Sequence, residues 1–190
     1  MTDPGRAIEA PRGSVAPGQP PASPDFQALY RAHVGYVWNA LRRLGVARGE
    51  LEDLTQETFL RAFRNHASFD PSRPLRPWLF AIAARTAVDF RRAARHGREV
   101  LEAAPDAAHE VPGADEDLAA AQQRRLLREL IDGLDDDRRA VFVMHECLGH
   151  TAVEIAQALD IPMNTAYSRL RLARADFKAL LAKRLEAVPP

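Results

Sequence analysis

The stretch from Thr151 to Lys178, TAVEIAQALDIPMNTAYSRLRLARADFK, constrains the fold more than any other part of the chain. Thr151 and Glu154 have the S/T-x-x-E spacing of a capping box, in which each side chain covers an orphan donor of a first helical turn. Ile155, Ala156 and Leu159 give that short helix one apolar stripe. Asp160-Ile161-Pro162 breaks it, because proline disfavours helix at the residue before it and lacks a donor of its own. Asn164 is a candidate cap for a second helix. At about 100° per residue, Ala166, Leu170, Ala173 and Phe177 fall on one side of that helix, and Tyr167, Arg171, Arg174 and Lys178 on the other. A helix apolar on one side and cationic on the other, after a tight turn, has the form that lies in a DNA major groove.

Charge is distributed in blocks. The chain of 190 residues has a formal net charge of zero. Residues 26–98 nevertheless carry thirteen Lys/Arg against six Asp/Glu. Residues 99–120 hold seven acids and no base, and residues 121–190 are nearly balanced. A basic block, an acidic tether and a helix-turn-helix module suggest a polyanion partner met by two separate domains. Cys147 is the only cysteine, which rules out an internal disulfide and suits a reducing compartment. No apolar run approaches the roughly 18 residues of a membrane span, and the first residues lack a signal peptide's apolar core. The expected location is the cytoplasm, with no membrane insertion.

The spacing of apolar residues predicts an all-α chain of two small helical domains joined by a flexible acidic linker, the C-terminal one a helix-turn-helix. Residues 1–25 hold six prolines and little that is apolar, so disorder is expected there. Residues 26–98 form the first domain. Phe26, Leu29, Tyr30, Val34, Val37, Trp38, Leu41 and Leu44 recur at helical spacing, and Gly45 is a plausible stop. Leu51, Leu54, Thr58, Phe59, Ala62 and Phe63 mark a second helix. Asp70-Pro71-Ser72-Arg73-Pro74 forces a loop. Pro77 suits the first turn of a third helix carrying Trp78, Leu79, Ile82, Ala83, Thr86 and Phe90, and ending in a basic run. Residues 99–120 are the linker. Residues 121–186 form the second domain, with Leu126, Leu127, Leu130 and Ile131 on one helix and Ala140, Val141, Val143, Met144 and Leu148 on the next.

With these residues in view, the chain resembles a known family. Glu52-Asp53-Leu54-Thr55-Gln56-Glu57-Thr58-Phe59-Leu60-Arg61-Ala62-Phe63, then Trp78-Leu79-Phe80-Ala81-Ile82-Ala83, then Glu154-Ile155-Ala156, Ile161-Pro162, Ser168-Arg169-Leu170 and Ala173-Arg174, are similar to motifs of bacterial RNA polymerase sigma factors of the sigma-70 family. The layout of two domains with none between resembles the compact extracytoplasmic-function (ECF) group. The resemblance covers 26–98 as a region 2-like domain and 121–184 as a region 4-like one.

The resemblance implies a subunit that binds core RNA polymerase and directs promoter recognition and transcription initiation. Its implied partners are the β′ clamp helices and β subunit of core polymerase, promoter DNA and an anti-sigma factor. Docking on the clamp helices would fall to Asp53, Gln56 and Glu57. The minus-10 element, captured as single strand, would meet Arg85, Arg91, Arg92 and Arg95 as cations, with Phe69 or His66 facing a base. Trp78 is expected in the core. The minus-35 element, read as duplex, would meet Thr165, Tyr167, Ser168, Arg171, Arg174 and Lys178, with Arg171 nearest base edges. Three positions depart from the usual pattern. Asp160 and Asn164 stand where glycine is usual, and Ala166-Tyr167 replaces a β-branched residue and a lysine. The linker is either a charge mimic of RNA in the polymerase channel or a plain tether.

His145, Cys147 and His150 are close in sequence, but on a helix His145 and Cys147 point about 200° apart. No metal and no cofactor are expected. No nucleophile–base pair, Gly-rich phosphate loop or carboxylate dyad stands out, so no enzymatic activity is expected. The alternative is an ordinary helix-turn-helix regulator acting without replacing a sigma subunit, with 26–98 as a sensor or dimerisation domain.

Overall fold

The computed structural model describes residues 24–100 and 118–186, and every regular element among them is helical. The expectations for most of the tail, for most of the linker and for the side chain of Arg95 lie outside the described residues, while Pro24 and Asp25 of the expected tail begin the first helix. Helices α1 (Pro24–Arg43), α2 (Leu51–Arg64) and α3 (Leu75–Val100) pack pairwise against one another. Their shared core is Val37, Leu41 and Leu44 from α1, Leu51, Leu54 and Phe59 from α2, and Leu79, Phe80 and Ala83 from α3. Phe26 lies edge-on to Phe63 at 5.1 Å, and Tyr30 tilts against Phe59 at 4.7 Å. Each such side chain, fully buried, stabilises the fold by about 1.5–3 kcal/mol.

Gly45 ends α1 at φ +87°, with Val46 N–H donating to Leu41 O at 3.1 Å. The left-handed residue and the six-residue hydrogen bond together satisfy carbonyls that the helix end would otherwise orphan. Pro77 falls in the first turn of α3, where its missing N–H costs nothing.

In the second half, α4 (Leu118–Asp132), α5 (Asp136–Phe142) and α6 (Ala152–Leu159) all pack on α7 (Met163–Glu186). Asp135 caps α5 by accepting from Arg138 N. The apolar run of α5 continues into a π-helical turn, Val143–Cys147, which periodicity alone did not reveal. Arg139 is buried here, although its type is usually exposed. It donates to the carbonyls of Ile131, Asp132 and Leu134, closing the α4–α5 corner.

The turn between α6 and α7 forms as its residues dictate. The capping box is complete: Thr151 N–H donates to Glu154 Oε2 at 2.8 Å, and Glu154 N–H to Thr151 Oγ1 at 3.3 Å. Asp160 takes the left-handed conformation at φ +54° that glycine would occupy more cheaply. Asn164 does not cap α7. The helix begins at Met163, with Ala166 N–H already donating to Pro162 O, and Asn164 Oδ1 accepts from Thr165 N–H inside the first turn. Proline in this turn lets the helix start two residues earlier than a polar cap at 164 would.

The two halves also pack on each other. Helix α6 lies against α3, the π turn touches α1, and the buried residues of both halves join one cluster. The charge blocks and the acidic tether gave no indication of this.

Candidate nucleic-acid and polymerase interface

On α2, burial of Leu54, Thr55, Thr58 and Phe59 fixes the rotation of the helix. Asp53 and Gln56 are therefore exposed and Glu57 half-exposed, all on the side away from the core. Glu57 accepts from Arg61 Nε at 2.8 Å, and Arg61 Nη1 reaches Asp89 of α3 at 2.5 Å. Those two carboxylates hold the Arg61 guanidinium above its ordinary pKa, the Glu57 hydrogen bond first. The outer face of α2 therefore leaves Asp53 and Gln56 exposed, with Glu57 already committed to a neighbour.

The loop after α2 opens with a 3-10 turn, His66–Ser68. His66 is exposed, its ring stacked on Phe63 at 5.9 Å and its Nδ1 3.0 Å from Phe63 O. Phe69 is half-buried and tilts against Trp78 at 5.0 Å. Trp78 is half-buried too and packs against the core. The next turn is held by Asp70, which accepts from Ser72 N–H at 3.0 Å, Ser72 Oγ–H at 2.7 Å and Arg73 Nε at 3.2 Å. These bonds, those from Ser72 above all, keep its carboxyl below the usual range.

A cleft of about 160 Å³ opens beside this loop. Phe69, Arg73 and Trp78 form one wall; Glu154, Gln157 and Ala158 of α6 form the other.

Along α3 the candidate cations separate. Arg85 and Arg92 are exposed. Arg91 is turned inward, donating to Leu44 O at 2.9 Å and pairing with Asp136 of α5 at 2.6 Å. The second half thus places a carboxylate on a cation of the first.

On α7, Ala166, Leu170 and Ala173 are buried and Phe177 half-buried, while Tyr167, Ser168, Arg171, Arg174 and Lys178 are exposed. Thr165 is half-buried, its carbonyl accepting from Ser168 Oγ–H at 3.1 Å. The helical phase read from the sequence therefore holds. Arg174 is held by Glu146 of the π turn at 2.6 Å, and Arg169 pairs with Asp137. Sequence reasoning read Asp136 and Asp137 only as acids at a helix N-terminus and passed over Glu146, since an acid's sequence neighbours say nothing about which arginine folds onto it.

The seam between the halves adds a cluster that the sequence did not announce. Tyr36 of α1 lies with its OH 2.8 Å from His150 Nε2, and Arg76 sits over the Tyr36 ring at 5.5 Å. Burial raises the Tyr36 phenol and lowers His150, with Glu154 opposing the shift of His150 and Arg76 adding to it. Cys147 is half-buried at the same seam; burial raises its thiol, and a hydrogen bond and charge from Arg43 oppose that. Among the described residues no group of three or more His, Cys, Asp or Glu is arranged to hold a metal, and no helix is long and apolar enough to cross a membrane.

Comparison with known proteins gives two family matches: Sigma-70 region 2 over residues 29–97, and Sigma-70 region 4 over residues 124–177. The chain is 32% identical over 172 residues to ECF RNA polymerase sigma factor SigE of Mycolicibacterium smegmatis, spanning 88% of this chain and 66% of that one. It is 31% identical over 186 residues to RNA polymerase sigma factor NccH of Alcaligenes xylosoxydans xylosoxydans, spanning 95% of this chain and 97% of that one. Among solved structures, CnrH in complex with the cytosolic domain of CnrY matches at 26% identity and a TM-score of 0.61, over 83% of this chain and 88% of that one.

Proposed function

The chain belongs to the sigma-70 family of RNA polymerase sigma factors, in the ECF group, and from that membership we propose how its residues divide the work. As a sigma factor it joins core RNA polymerase and directs initiation of transcription at promoters; it supplies recognition, and the polymerase supplies the chemistry. The observation that carries this reading over an ordinary helix-turn-helix regulator is the presence of both region matches in one chain. A regulator that used the helix-turn-helix alone would have no need of the first.

Asp53 and Gln56, with Glu57 behind them, dock on the β′ clamp helices. Their exposure on a helix whose other face is locked into the core supports this. His66, Phe69, Arg85, Arg91, Arg92 and Arg95 serve the minus-10 strand, the aromatic groups by stacking on unpaired bases and the arginines by contacting phosphates. Thr165, Tyr167, Ser168, Arg171, Arg174 and Lys178 serve the minus-35 duplex. Arg171, exposed at mid-face on α7, is the residue that reaches base edges, and Lys178 stays on the phosphates. The protein works in the cytoplasm beside its polymerase, and an anti-sigma factor holds it in reserve, as CnrY is bound to the related CnrH.

The test is run-off transcription with core polymerase on genomic DNA, with start sites mapped. Start sites sharing two upstream elements are expected. No stable association with core polymerase would leave the regulator reading in its place.

A further inference from the structure

We propose that Tyr167 is a second base-reading residue of α7, its ring resting on the C5-methyl group of a thymine in the major groove, so that the chain selects a T·A pair at one place in its minus-35 element. This names the base chemistry of the minus-35 assignment above and rests on it. Arg171 supplies hydrogen bonds to the same groove, and Tyr167 supplies an apolar contact beside them.

Of the three tyrosines in the chain, two have partners within the fold. Tyr30 tilts against Phe59, and the Tyr36 hydroxyl lies on His150. Tyr167 is 57% exposed, and among the described residues its side chain has no ring contact or hydrogen bond. Its direction is nevertheless fixed from behind. Ala166 and Leu170 are buried on the opposite side, so α7 cannot rotate without exposing them. The capping box of Thr151 and Glu154, with Asp160 in its left-handed conformation, sets the turn from which α7 starts. A tyrosine offers a large, stiff apolar area with only two rotatable bonds, so ordering it on a partner costs little.

Met163, Tyr167, Arg171, Arg174 and Lys178 follow at three- and four-residue spacing and form one stripe along the outside of α7. The stripe changes character along its length. Its first turns are apolar, with Met163 37% exposed one turn before Tyr167, and the rest is cationic. Arg174 is tethered by Glu146 through Nε at 2.8 Å and Nη2 at 2.6 Å. Arg171 and Lys178 are the stripe's cations without an ion pair among the described residues. Those charges call for a polyanion, and the N-terminal residues of a recognition helix are the ones that meet base edges. An uncharged ring at that end answers no phosphate charge. The apolar group that a major-groove base edge presents is the thymine methyl.

The test is run-off transcription by the full-length chain with core polymerase on two competing templates that yield products of different length. Both carry one promoter whose minus-35 element has been mapped from its start site. In one of them a thymine of that element is replaced by deoxyuridine, which keeps every hydrogen-bonding group and removes only the methyl. Each thymine is taken in turn, on either strand. At one position the wild-type chain should favour the thymine template by about fourfold, the worth of one buried methyl group. Tyr167→Phe should keep that preference. Tyr167→Ala should use the two templates equally and melt as wild type does, since the side chain is exposed. Tyr167→Gln, long but without the ring, should also use them equally, and it carries the comparison if the alanine variant transcribes too weakly for a ratio. Equal use of every template pair by the wild-type chain overturns the methyl contact. A preference that survives in Tyr167→Ala or Tyr167→Gln also overturns it, because a methyl felt through duplex shape or by another residue would persist there. A wild-type chain that gives no transcript from the thymine template strikes the promoter reading itself, and the methyl contact falls with it.

Discussion

Leu170 and Arg171 are neighbours on α7, and the structure gives them opposite duties. Leu170 is 4% exposed, in the cluster with Ala166 and Ala173, whereas Arg171 faces solvent. Leu170→Ala removes three carbon groups, about 2.4 kcal/mol at about 0.8 kcal/mol each. A cavity term raises the expected loss to about 3–4 kcal/mol. For a chain of this length the melting temperature falls by about 2–4 °C per kcal/mol, so a drop of about 6–16 °C is expected. Arg171→Ala is a surface change, worth about 0.5 kcal/mol at most in stability. Its loss is expected in recognition, about 1–3 kcal/mol for one good base contact, or roughly 5- to 150-fold in promoter affinity. Thermal melting by circular dichroism, paired with run-off transcription below the lower midpoint, separates the two. An Arg171→Ala chain that melts several degrees low, or a Leu170→Ala chain that melts as wild type, would refute the helical phase on which the minus-35 assignment stands.

Asp53→Ala with Gln56→Ala should weaken binding to core polymerase while leaving the melt unchanged, because neither side chain is buried; unchanged affinity in a direct titration removes the docking assignment. Arg139→Met should cost about 3–5 kcal/mol by orphaning three carbonyls, those of Ile131 and Leu134 in buried bonds, read as a lower denaturant midpoint at constant slope. Arg139→Lys should recover little of it, since an ammonium lacks the planar fork. Burial holds His150 below its ordinary pKa of 6.5, against Glu154 and with Arg76, so below that pH the unfolded chain takes up the proton more readily. Stability from this group is therefore full above about pH 6.5 and lost as pH falls toward the lowered value. Urea midpoints at pH 7.5 and 5.5 should differ less in His150→Gln than in wild type, and equal differences would assign the pH dependence elsewhere.

The sequence by itself determined the helices and the rotation of α7. A capping box, a proline three residues past a helix end and a stripe at 3.6-residue spacing are local facts, satisfied within a turn or two. It also located the exposed side of α2 and the exposed face of the helix-turn-helix, because burial of one stripe fixes the direction of the other. It misplaced the cap of α7 by assigning that role to Asn164, whereas the helix begins at Met163, directly after Pro162. The π turn and buried Arg139 were not legible, since both answer to carbonyls and side chains brought near only by folding.

Arg91 shows the limit most clearly. Its place in a basic run marked it as a contact for phosphate, and in the fold its partner is Asp136, 45 residues away. The docking of the two halves, the cleft at Phe69 and the Tyr36–His150 contact belong to the tertiary structure alone. Periodicity tells a chain which face to bury. Which cation meets which carboxylate depends on distances that exist only once the helices have packed.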